Sequence, residues 1–156
     1  LWDDAFYQRA NAGTITQYRY TIALLVEIPP PLMPVGMVDG MFKFRFQNKL
    51  PVLTHPERYH ALWDNDELCD QLRRVCAFTI DLGAVAGFHG KRETKMARHL
   101  LEKGMVAAVA TDAHQVGDLQ QAAQGLAWIA KKLGHATTVR LFDTNPRAIL
   151  DGELPD

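Results

Sequence analysis

The run Pro51-Val52-Leu53 delivers a histidine, a proline turn and an arginine in quick succession: His55, Pro56, Glu57, Arg58 and Tyr59. An imidazole ligates metals or moves protons near neutral pH. A guanidinium grips phosphoryl or carboxylate oxygens through paired donors. The stretch therefore holds the parts of a phosphate-handling site, a ligand or base beside an oxyanion clamp. A second pair lies at Asp112 and His114. Residues two apart in an extended chain face the same way, so both reach into one pocket. Glu27 and Asp81 add carboxylates, each at the end of an apolar run. Mixed carboxylate and imidazole donors suit manganese, iron or zinc at a hydrolytic centre. Two or three such metals acidify a water and hold a phosphoryl group in place.

The elements that must position these residues alternate along the chain. Phe6, Tyr7 and Ala10 fall at helical spacing from Asp3, and Asn11-Ala12-Gly13 stops the pattern. Tyr20 to Val26 is an unbroken apolar and β-branched run, ended by Glu27 and by Pro29-Pro30-Pro31, and reads as a buried parallel strand. Val38, Met41, Phe42 and Phe46 give Val35–Asn48 an amphipathic helical pattern. The strand Pro51–Thr54 precedes a helix carrying Leu68, Leu72 and Val75, with Asp64 placed to cap it. Ala77–Ile80 is a third strand, followed by Asp81 and a small-residue loop from Gly83 to Gly87. Strong helix formers run from Lys91 to Lys103 and stop at Gly104. Met105–Ala110 is a fourth strand leading into Thr111-Asp112-Ala113-His114. A helix through Leu119, Ala122, Leu126, Ile129 and Leu133 stops at Gly134, and Pro146 opens a last short helix. Four β runs separated by helices imply a parallel α/β sheet with right-handed crossovers, open or curled into a barrel. Glu27, His55, Asp81, Asp112 and His114 then all fall at C-terminal strand ends, where such folds gather their sites.

Composition narrows the function. The 156 residues are one domain's worth, and 47% hydrophobic content can fill a core. Lys plus Arg (17) nearly balances Asp plus Glu (18), which argues against nucleic acid as a partner. Cys69 and Cys76 lack zinc or disulfide spacing, as expected of reduced thiols in a cytoplasmic protein. No apolar stretch reaches the roughly 18 residues that span a bilayer. Leu1-Trp2-Asp3-Asp4 has no signal-peptide character and reads as the middle of a longer protein.

Each candidate also has a plainer role. Glu27 fits a solvated strand end. Asp112 and His114 fit the cap of the helix that follows. Glu57 fits a first-turn helix carboxylate, and Arg58 a surface ion pair. His60, His89, His99 and His135 lie away from the strand ends and read as structural or solvent-facing. The coincidence at several strand ends favours chemistry.

Leu25-Val26-Glu27-Ile28-Pro29, Pro51 to Tyr59, Gly87-Phe88-His89-Gly90-Lys91 and Ala110 to His114 occur in an order similar to the bacterial polymerase-and-histidinol-phosphatase (PHP) superfamily. In detail the chain resembles its capsular-polysaccharide tyrosine-phosphatase branch, and Asn145-Pro146 with Ile149-Leu150 and Gly152 extends the likeness. The resemblance implies the C-terminal portion of a distorted (β/α)7 PHP barrel, one N-terminally incomplete domain over residues 1–156. It implies divalent metals, manganese first, with iron, magnesium or zinc as alternatives. Glu27, His55, Asp112 and His114 become metal ligands, with His55 and Arg58 catalytic and Arg58 on the substrate phosphate. The implied substrate is a phosphotyrosine protein, such as a tyrosine kinase of capsular or exopolysaccharide export.

The departures open two other readings. The family's N-terminal His-x-His and further ligands are absent, which admits a non-catalytic or truncated barrel fragment with an incomplete metal site. Gln115-Val116-Gly117-Asp118-Leu119 stands where a second phosphate-binding arginine is common, which admits a small phosphorylated metabolite as substrate. Asp81 has no support from the resemblance as a ligand. A half-barrel would also leave the strand Ile22–Val26 as an apolar edge suited to pairing in a homo-oligomer.

Overall fold

The computed structural model describes residues 4–12, 14–15, 17–18 and 20–156. Expectations placed on residues 1–3 and on Gly13, and on the side chains of Tyr7 and Ala10, lie outside that description. Four parallel strands form one sheet in the order β1 (Ala23–Val26), β2 (Leu50–Thr54), β3 (Ala77–Asp81), β4 (Ala108–Ala110). Helices α1 (Asp4–Asn11), α2 (Met37–Phe46), α3 (Asp66–Arg73), α4 (Leu82–Ala86), α5 (Lys91–Glu102), α6 (Val116–Val139) and α7 (Asn145–Leu150) surround it. Val26 pairs with Leu53, Thr54 with Thr79, and Asp81 with Ala110, so all four strands end along one edge. That shared edge brings together side chains far apart in sequence.

Alternation along the strands divides the core. Leu24, Val26, Leu53, Phe78 and Ile80 are buried with Met41, Phe44, Leu62, Leu72 and Leu100 beneath the crossover helices. On the opposite face, Ala23, Val52, Ala77 and Ala108 meet Ile149 of α7. Only part of this second face is covered. Tyr18, Leu25, Val52, Thr79, Ala108, Pro146, Ile149 and Leu150 line an apolar groove of about 210 Å³ across it. Leu25 is accordingly 59% exposed, so β1 is not buried on both faces as its unbroken apolar run suggests.

Several boundaries differ from the sequence reading. Tyr20 to Ile22 are not strand, because Tyr20 takes a positive φ of 64° and the Thr21 amide bonds back to the Tyr18 carbonyl. In α2 the buried face is Met37, Gly40, Met41 and Phe44, while Phe42 and Phe46 point outward. Helix α3 is capped by Asn65, whose side chain accepts the Leu68 amide; Asp64 instead sits at φ 56°. The small-residue segment after Asp81 forms the helix α4, with the Asp81 carboxylate as its cap. Within α6, Gly134 at φ 82° and ψ 170° breaks the helical path without ending the element. Gly125 of α6 lies against α4 so closely that a Cβ there would run into the Leu82 carbonyl.

Candidate metal centre

His55 directly follows β2 and Asp112 lies two residues past the end of β4, and both adopt left-handed backbone conformations, φ 54° and 45°. Such conformations cost a non-glycine residue about 1–3 kcal/mol and persist only where their surroundings enforce them. The His55 amide bonds to the Thr79 carbonyl of β3, and Arg58 closes the turn by donating its amide to the His55 carbonyl. Tyr59 anchors the motif from behind. Its buried hydroxyl donates to the Thr54 carbonyl and accepts the Ile28 amide, and burial pushes its pKa up to about 12. Trp63 adds a ring N–H bond to the Glu57 carbonyl at 2.9 Å.

The imidazole of His55 stands between two carboxylates. Its Nε2 lies 3.4 Å from Asp112 Oδ2, and its Nδ1 lies 3.6 Å from Glu57 Oε1. The second distance is too long for a hydrogen bond. Both His55 Nδ1 and Glu57 Oε2 are buried without a hydrogen-bond partner. Burial and the Arg58 charge oppose the charged imidazole, but the Glu57 and Asp112 carboxylates together outweigh them, and the His55 pKa is raised overall. Glu57 does sit in the first turn of the short helix Pro56–Arg58, but fully buried, with its Oε1 accepting the Asp81 amide at 3.3 Å.

Arg58 is not a surface ion pair. Its Nη2 lies 3.1 Å from Asp81 Oδ2 and 3.7 Å from Asp112 Oδ2. Asp81 is 3% exposed, with Oδ1 accepting the Gly83 amide at 2.7 Å and Oδ2 meeting His89 Nε2 at 2.7 Å. A Cβ on Gly83 would stand 2.7 Å from His89 Nε2, so glycine there leaves the ring its seat. His89, read from sequence as structural or solvent-facing, thus belongs to this cluster. The signal was Asp81 at a strand end with a glycine-flanked loop after it.

Arg58, Asp81, His89, Thr111, Asp112, His114, Asp118 and Gln121 line a cleft of about 320 Å³ at the strand ends. His114 faces it, with Nδ1 2.7 Å from the Asp112 carbonyl. Neither Asp112 nor His114 caps the following helix. The N-cap is Gln115, in a capping box with Asp118, whose carboxylate accepts the His114 and Gln115 amides, which holds its pKa below the usual carboxylate range. Glu27 is exposed beyond β1 and makes no hydrogen bond or ion pair among the described residues. The structure therefore gathers His55, Arg58, Asp112 and His114 in one region and leaves Glu27 at its margin.

The donor chemistry fits a divalent cation. His55, Asp81 and Asp112 each offer a ligand atom, and the three atoms lie within 4.8 Å of one another. A carboxylate behind the second nitrogen of a ligating imidazole fixes its orientation and raises its basicity. Glu57 stands in that place behind His55, leaving Nε2 toward Asp112.

These features define a parallel α/β protein whose ionisable side chains converge at the carboxyl ends of its strands. A family model described as capsular polysaccharide synthesis, CpsB/CapC, matches residues 2–151. The chain belongs to the CpsB/CapC family. It is 30% identical over 94 residues to the tyrosine-protein phosphatase YwqE of Bacillus subtilis, covering 60% of this chain and 37% of that protein. It is 32% identical over 114 residues to the tyrosine-protein phosphatase CpsB of Streptococcus pneumoniae, covering 67% and 46% respectively. The chain thus spans less than half the length of either relative. A solved structure described with YwqE and CpsB as unique metal-dependent tyrosine phosphatases shares the fold. Its TM-score is 0.83 at 22% identity, over 98% of this chain and 62% of that one. Among the described residues, no helix is long and apolar enough to cross a membrane.

Proposed function

We propose that this protein is a metal-dependent phosphomonoester hydrolase acting on phosphotyrosine in the control of capsular or exopolysaccharide synthesis, its sheet forming part of a PHP-type barrel. One observation carries the reading. His55 meets Asp112 at 3.4 Å while the Arg58 guanidinium reaches the same Asp112 oxygen, and Asp112, His114 and Arg58 line one cleft. The homologous tyrosine phosphatases point to the same chemistry.

His55, Asp112 and His114 would hold the cation, with Glu27 reaching in from β1. Bound there, a divalent metal supplies Lewis-acid charge to the phosphoryl oxygens. Arg58 donates to those oxygens and stabilises the charge that grows on them in the transition state. Without substrate the buried Asp81 carboxylate holds the guanidinium at the cleft, and the Glu57 carboxylate lies behind His55 Nδ1 while Nε2 faces Asp112. Neither thiol takes part. Cys69 and Cys76 are buried, with burial raising the pKa of Cys69 to about 11 and that of Cys76 further.

Asp118 and Gln121 favour a second reading. They add a carboxylate and an amide to the cleft, groups that accept hydrogen bonds from substrate hydroxyls. A small phosphorylated metabolite such as a sugar phosphate would use them. Parallel assays with manganese, comparing a phosphotyrosyl peptide with sugar phosphates, decide between the two. Faster release from the peptide, lost in His55→Ala, supports the first reading. Release from sugar phosphates alone replaces it with the second.

A further inference from the structure

We propose that Asp81 is an additional ligand of the cation held by His55 and Asp112, and that Arg58 competes with that cation for Asp81 Oδ2; the inference rests on the metal-dependent reading above. Asp81 is nearly inaccessible to water, so its charge must be met by neighbours. Oδ1 is occupied by the Gly83 amide. Oδ2 receives His89 at 2.7 Å and Arg58 at 3.1 Å. Arg58 also lies 3.7 Å from Asp112 Oδ2, so one guanidinium bridges two carboxylates.

Those carboxylates stand with the His55 nitrogen inside the 4.8 Å group, and Glu57 Oε1, which accepts the Asp81 amide, backs His55 Nδ1 at 3.6 Å. Three donor atoms at such separations can share one ion. A guanidinium and a divalent ion cannot both occupy the line between Asp81 and Asp112. Were Arg58 to turn to a substrate phosphate, Asp81 and Asp112 would lose their bridge, and their carboxylates would be free to hold the cation with His55. His89 stays on Oδ2 throughout as a positioning residue, giving the ligating carboxylate the outer hydrogen bond that such ligands need.

Calorimetric titration with Mn²⁺ tests this without turnover. Asp81→Asn keeps an oxygen to cap α4 but loses the charge, and its manganese affinity should fall by roughly tenfold or more. Arg58→Gln should bind manganese more tightly than wild type. His89→Phe, at a part-exposed position, should weaken binding while circular dichroism stays native. Unchanged affinity in Asp81→Asn, or weaker affinity in Arg58→Gln, overturns the proposal. Should Asp81→Asn fail to fold, the direction of change in Arg58→Gln decides. Manganese-dependent hydrolysis by wild type with wild-type affinity in Asp81→Asn would refute this inference alone. Asp81-dependent binding without hydrolysis would refute only the phosphatase reading.

Discussion

Arg58 and Asp81 join adjacent strand ends through a 3.1 Å contact between Nη2 and Oδ2. The carboxylate is buried and the guanidinium is only part-exposed, so the pair is shielded from the screening that makes surface ion pairs weak. It aims a planar, multi-donor group into the cleft that also holds Asp112 and His114. Substitution at Arg58 should therefore cost stability as well as turnover, because it leaves the buried Asp81 carboxylate with His89 and the Gly83 amide alone.

Arg58→Ala is expected to lower kcat/KM for a phosphomonoester by about 10²–10³, the loss typical of removing one oxyanion donor. Arg58→Lys should recover little, because an ammonium cannot reproduce the guanidinium fork. Steady-state kinetics at saturating manganese gives the answer; full recovery with lysine would show that point charge suffices.

Gly125→Ala should destabilise the fold. The added methyl meets the Leu82 carbonyl at the α4–α6 contact, and backbone cannot yield as a flexible side chain would. A loss of about 1–3 kcal/mol in denaturant unfolding is expected for this overpacking. An unchanged midpoint would mean that α6 can move away from α4.

The Asp66–His99 pair tethers α3 to α5 at 2.6 Å, and this contact holds the Asp66 pKa below its ordinary 3.8. A depressed carboxylate pKa contributes stability above the unfolded value and loses it as pH falls through the folded value. Thermal midpoints of wild type and Asp66→Asn should differ at pH 6, and the gap should close as pH falls below the ordinary carboxylate value. A gap that persists in acid would assign the effect to packing.

Both thiols should resist alkylation in the native protein and react on unfolding, since burial keeps them protonated. Cys69→Ser and Cys76→Ser should retain metal-dependent hydrolysis if they fold. Its loss in a natively folded serine variant would reopen cysteine chemistry.

Much of this organisation was legible in the sequence because parallel strands announce themselves as short apolar runs and their ends mark the site. Val26, Thr54 and Ala110 end strands within a residue or two of Glu27, His55 and Asp112. What escaped depended on tertiary context. Phe42 and Phe46 look like core residues by type, yet the turn from Gly36 sets Met37, Met41 and Phe44 inward. Asp64 and Asn65 are both competent caps, and only the backbone shows that Asn65 holds the position. His89 lies in a loop whose path is set by Gly87 at φ 105° and Gly90 at φ 115°, so its approach to Asp81 has no periodic signature. The burial of Glu57 was hidden for a related reason, since it arises from the turn that follows the left-handed His55.

The strand-end cluster is proposed to hold a divalent cation and to use it in hydrolysing a phosphomonoester. The most direct test measures phosphate release from a phosphotyrosyl peptide together with protein-bound manganese, for wild type and Asp112→Asn, with and without chelator. Release should rise with bound manganese, disappear with chelator and be lost together with the metal in Asp112→Asn. Release that continues undiminished in chelator-treated, metal-free protein would contradict that proposal.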